Sequence, residues 1–173
     1  MIERYHIGNL DTACNRIDKL IQISTDPSNM ANVASLSRHC GYYEKSLSIY
    51  KNVLQSAPHF SLWFKKEYAW TFLMSEFFYD RYDFNDARPY VESQLAANYS
   101  QDGINEIWLT MLAYMASKEG DIKSATNYLK EQSKMDNPIN NIWKENYPLI
   151  LNENEQFKQD LFETLNQLSV KGL

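Results

Sequence analysis

Three histidines, His6, His39 and His59, and two cysteines, Cys14 and Cys40, are the side chains in this sequence best suited to bind a transition metal. Glu3 and His6 have the Glu-x-x-His spacing of half a di-iron site, in which two such pairs and further inward carboxylates share the metals. The chain offers no second pair, and this one sits in a terminal stretch of the kind that frays. Cys14, His39, Cys40 and His59 could meet in space, but no spacing among them has the paired-ligand pattern of a zinc site. His39 falls at a helix end, where an imidazole complements the carbonyl pole of the helix dipole. The cysteines form no CxxC pair and no ladder of spacings, so they read as two buried thiols in a reducing compartment. GxxxxGK[ST], GxGxxG after a strand, HExxH and GxSxG are all missing. The expectation is a protein with no catalytic set, no cofactor and no metal.

Charge and composition narrow the partner class. Net charge is −5, and the longest basic run is Lys65-Lys66. A nucleic-acid binder needs a basic stripe to displace counterions from phosphates, so nucleic acid is not an expected partner. The longest apolar run, Ala69 to Met74, is interrupted by Thr71 and is far short of a membrane span. Residues 1–6 lack the apolar core of a signal peptide. The expected setting is therefore soluble and cytoplasmic. Gly and Pro number five each. A β-sandwich or barrel needs many more turn residues, so the fold class is all-α with few connections.

Apolar periodicity places the elements within a single domain, 1–173. Leu10, Ala13, Cys14, Ile17, Leu20 and Ile21 recur at steps of three and four and predict a helix over 10–24. Ser28 is a candidate cap for a helix running to Gly41, and Pro58 closes its successor, giving a first hairpin at 28–57. A second spans 61–98, with Asn85 as cap of its second helix. A third spans 103–135 around the Gly120-Asp121 turn. Capping helices cover 139–170, with Phe157, Leu161, Leu165 and Leu168 on one stripe.

The hairpins share a pattern. The first carries Gly41, Tyr43, Ser46, Tyr50, Leu54 and Pro58; the third carries Gly120, Ile122, Ala125 and Leu129. The second carries Tyr82, Phe84, Ala87 and Val91, without the Gly or the Pro. This resembles the tetratricopeptide repeat over about residues 28–135. The spacings between the small residues Ser46, Ala87 and Ala125 are longer than the roughly 34 residues of that family. The resemblance implies a right-handed α-solenoid of helical hairpins with terminal capping helices. Its concave side would be lined by first helices and bind a protein or peptide. Carried over by position, the groove would present Ser35, Arg38 and His39, then Phe72, Glu76 and Tyr79, then Thr110, Tyr114 and Lys118. The acidic balance favours a basic segment or an amphipathic helix as ligand. The rival readings are a self-association module forming a homodimer, and a dedicated secretion chaperone or immunity partner.

Overall fold

Few turn residues and long apolar stripes leave helices as the means of satisfying the backbone. A computed structural model describes residues 10–59, 62–97, 105–134 and 154–172. Of these, 82% are helical and none is in a strand. The order is α1 Leu10–Cys14, α2 Ile17–Ile23, α3 Pro27–His39, α4 Tyr43–Ser56, α5 Leu62–Phe78, α6 Ala87–Ala97, α7 Asn105–Lys118, α8 Ile122–Ser133 and α9 Glu155–Gly172. The expected helix at 139–147 lies outside the described residues. No described helix is long and apolar enough to cross a membrane. The chain divides into two compact units, Met1–Ser75 and Glu76–Leu173.

In the first unit, the expected helix over 10–24 is two short helices. The Arg16 N–H bonds the Ala13 carbonyl, three residues back, at 3.0 Å, which tightens the turn and interrupts the helix. Ile17 alone of the expected stripe is fully buried, and Leu10 is 39% exposed. The cysteines require a larger correction. Cys14, at the end of α1, and Cys40, the residue after α3, form a disulfide, with Sγ atoms 1.99 Å and Cα atoms 5.7 Å apart. They are not free thiols, and both are half-buried. Sequence separation could not expose this pair, because a bridge needs only the right approach of two Cβ atoms in the fold.

Helix α3 starts from Asp26, not Ser28. The Asp26 carboxylate accepts the Asn29 N–H at 3.1 Å, and Pro27 occupies the first helical turn, where its missing N–H costs nothing. Helices α3 and α4 then pack as a hairpin around Ala31, Val33, Ala34, Leu36, Ile49, Tyr50 and Val53. The small residue of the pattern is a clasp: Ser46 Oγ donates to the Ala34 carbonyl at 2.7 Å, and Ser46 is fully buried.

Three turns share one geometry. Gly41 and Gly120 adopt φ of +76° and +83°, the left-handed conformation that glycine reaches without a Cβ clash. After α3, the Tyr42 N–H bonds the Ser37 carbonyl and the Gly41 N–H bonds the Arg38 carbonyl, both at 2.9 Å. After α7, Asp121 and Gly120 make the same pair of bonds to Ala116 and Ser117, at 2.9 and 3.0 Å. These are Schellman motifs, which satisfy the orphaned carbonyls of a helix end. The second turn repeats them without glycine. Asp80 takes φ of +52°, and Arg81 and Asp80 bond the carbonyls of Glu76 and Phe77 at 3.0 and 3.2 Å. Aspartate is one of the few side chains that visit this region at modest cost. The left-handed position of each motif thus recurs at 41, 80 and 120, steps of thirty-nine and forty residues, and the second turn adds Tyr82 at φ of +50°.

In the second unit, α7 is buried from Asn105 to Ala116. A helix buried on every side needs neighbours on every side, and α6, α8 and α9 all pack on it. Asp121 caps α8 through the Ser124 N–H at 3.0 Å. Asn85 does not cap α6. Its N–H donates to Asp83 at 3.1 Å, and the Phe84 carbonyl accepts the Arg88 N–H at 2.8 Å. Helix α9 buries the expected stripe, Phe157, Leu161, Leu165 and Leu168, and leaves Glu155, Gln156, Gln159, Glu163, Asn166 and Gln167 exposed.

Ala125 is fully buried, on α8 in a unit where α7 and α8 pack closely. Ala125→Leu forces three carbons into that contact and is expected to destabilise by about 1–3 kcal/mol. Chemical denaturation of the two proteins measures it; an unchanged midpoint would place Ala125 away from the helix contact.

Candidate recognition surface

In the first unit, the positions singled out are Ser35, Arg38 and His39 on α3 and Phe72 on α5. Arg38 is 3% exposed. A guanidinium buried that far needs a counter-charge and hydrogen-bond acceptors. Glu67 on α5, equally buried, provides the charge through an ion pair with Arg38 Nη1. Nη1 also donates to Thr71 Oγ1 at 3.2 Å, and Nη2 donates to Ser35 Oγ at 3.4 Å. Tyr50 approaches from α4, its hydroxyl donating to Glu67 Oε2 at 3.5 Å. Burial, and then the Glu67 charge, push the Tyr50 pKa well above its usual value, so the phenol stays protonated. His39 is exposed, and Phe72 is half-buried.

Sequence reasoning missed Glu67, Thr71 and Tyr50 as partners of Arg38. A signal for the first two existed. Thr71 breaks the chain's longest apolar run, and Glu67 stands four residues earlier, on the same helical face. Polar residues on an otherwise apolar face mark a buried pairing site.

In the second unit, Glu76 is 3% exposed and gathers the loop after α5. It accepts from Arg81 Nη2 at 2.6 Å and from the Asp83 N–H at 2.9 Å. Tyr79 is 47% exposed, and the Arg81 guanidinium lies 4.9 Å from its ring centre, at cation–π distance. Thr110 is buried. It donates to the Glu106 carbonyl at 2.7 Å and accepts from Gln132 Nε2 at 2.8 Å.

Tyr114 and Lys118 converge on a residue that the sequence did not single out, Asp160 of α9. The Tyr114 hydroxyl donates to Asp160 at 2.8 Å, and Lys118 Nζ lies 2.6 Å from its carboxylate. The ammonium also sits 5.2 Å and 5.4 Å from the ring centres of Tyr82 and Tyr114. Tyr114 is fully buried between Phe84 and Phe157, with centroid distances of 6.3 and 5.7 Å. Burial, and then the bond to Asp160, push its pKa up. Burial, and then Asp160, do the same to Tyr82.

The structure therefore brings Ser35 together with Arg38, and Tyr114 together with Lys118, and places α9 over the second pair. His39 and Tyr79 are open to solvent. Ser35, Phe72 and Lys118 are partly open, while Arg38, Glu76, Thr110 and Tyr114 are buried. Among the described residues, no group of three or more His, Cys, Asp or Glu is placed to hold a metal ion. Glu3 and His6 lie outside the described residues, and Cys14 and Cys40 are committed to each other. No protein-family profile matches the chain, and no curated protein or solved structure is significantly similar to it.

Proposed function

We propose that this protein is a non-catalytic protein- or peptide-binding adaptor or chaperone of tetratricopeptide-like architecture, a right-handed α-solenoid working through its first helices. The observation that carries the reading is the recurrence of one turn geometry at Gly41, Asp80 and Gly120. Buried Ser46, Ala87 and Ala125 follow these turns on the next helix. Repeated helical hairpins are recognition scaffolds, because a first helix can leave a face for a ligand; α7, buried from Asn105 to Ala116, offers only its end at Lys118. The accessible residues, Tyr79 and His39 with the partly open Ser35, Phe72 and Lys118, would make the contacts. The buried Arg38, Glu76, Thr110 and Tyr114 would hold the helices that present them. The net charge of −5 suits a basic segment or a Lys/Arg-bearing amphipathic helix. Cytoplasmic residence belongs to this proposal, and it puts the Cys14–Cys40 bond in a reducing setting.

Tagged full-length protein recovered from a native extract separates this reading from its rivals. One stoichiometric protein partner supports recognition, and a dedicated chaperone or immunity role would appear in the identity of that partner. A homodimer that strengthens with concentration in sedimentation, with no second protein retained, would replace recognition by self-association.

A further inference from the structure

We propose that the Cys14–Cys40 disulfide is a reducible clasp that holds α1 and α2 against the first hairpin, and that a dithiol reductant releases them. The elements on its two sides are unequally anchored. Helix α1 has five residues and none buried, and α2 has seven with Ile17 alone buried. Helices this short are not stable by themselves in water. Ala13, Leu20 and Ile21 add only partly buried contacts to the same core. The polar tie from α2 to α4 is the Asp18–Lys45 pair at 2.7 Å, in which the aspartate side chain is 79% exposed, and an exposed ion pair contributes little.

Across the bond, Cys40 directly follows α3, and α3 and α4 supply seven of the eight buried residues of the core that Ile17 joins. Those seven are Ala31, Val33, Ala34, Leu36, Ile49, Tyr50 and Val53, and the Ser46 clasp ties one helix to the other. Opening the disulfide therefore removes the main restraint on α1 and α2 and leaves the hairpin intact. The bond also sits at the edge of the core, not within it: both cysteines are half-buried and within reach of a reductant.

The chemistry balances as thiol–disulfide exchange. One thiolate of the dithiol attacks a sulfur of the pair, forming a mixed disulfide and expelling the other cysteine as a thiolate, which takes up a proton. The second thiol of the reductant then closes its own disulfide and frees the remaining cysteine. Two electrons and two protons pass from the dithiol to Cys14 and Cys40.

The test is amide hydrogen exchange, read by mass spectrometry on the full chain before and after dithiothreitol, with free thiols counted in parallel. Reduction should yield two thiols. Exchange over 17–23 should then rise about tenfold or more, as loss of a loop-closing bond to a weakly packed segment implies, while 27–56 changes less than about twofold. Reoxidation should restore the original rates. A Cys14→Ser, Cys40→Ser protein should show the fast pattern without reductant and no further change with it. Unchanged exchange over 17–23 with two thiols exposed would overturn the proposal. So would an equal loss of protection over 27–56, which would make the bond a staple of the whole hairpin.

Discussion

Glu67→Ala is expected to cost about 3–5 kcal/mol of stability, because it strands a buried guanidinium. Arg38 and Glu67 are each 3% exposed. In the intact protein, the Arg38 charge is met by the Glu67 carboxylate and by hydrogen bonds to Thr71 and Ser35. Removing Glu67 takes away the counter-charge, and hydroxyls such as those of Thr71 and Ser35 do not neutralise the guanidinium left behind. The same reasoning makes the loss recoverable. A double variant, Arg38→Met with Glu67→Leu, removes both charges and fills the space, and should regain most of what the single variant loses. Urea denaturation of wild type, both single variants and the double variant checks this. A Glu67→Ala loss below about 1 kcal/mol would show that water reaches Arg38.

Phe157→Ala is expected to cost about 3–5 kcal/mol, the usual range for truncating a fully buried aromatic. Phe157 is fully buried near the start of α9, with the rings of Phe77 and Tyr114 edge-on at 5.6 and 5.7 Å. Its loss opens a cavity beneath the helix that also carries Asp160. The damage should therefore spread: the Tyr114 and Lys118 contacts to Asp160 loosen when α9 shifts. Thermal melts joined to tyrosine fluorescence measure both effects. A drop in stability with no spectral change would confine the effect to the cavity itself.

Much of this fold was readable from periodicity. The stripe Phe157, Leu161, Leu165 and Leu168, the stops at Gly41 and Gly120, and the small residues Ser46, Ala87 and Ala125 each follow from local rules about helices. The Asp80 turn was not readable as a helix stop, because aspartate suits caps and turns equally well and only the backbone shows its left-handed φ. The disulfide escaped for a related reason: Cys14 and Cys40 are 26 residues apart, and nothing local marks their approach. For the recognition positions, helical phase placed residues on a face but could not say what covers that face. Tyr114 and Lys118 look solvent-facing until a helix more than forty residues later supplies Asp160. Arg38 looks like a surface cation until Glu67 arrives from α5.

The most direct measurement is the affinity of the captured partner for wild type, Tyr79→Ala and His39→Ala, by titration calorimetry on proteins whose melting midpoints match. Both side chains are exposed, so their truncation leaves the core intact. A recognition surface on the first helices predicts that Tyr79→Ala weakens binding by about 2 kcal/mol or more, roughly thirtyfold, the scale of a true hot spot, with a smaller loss for His39→Ala. Equal affinity for all three proteins would contradict it and move the working surface off the first helices.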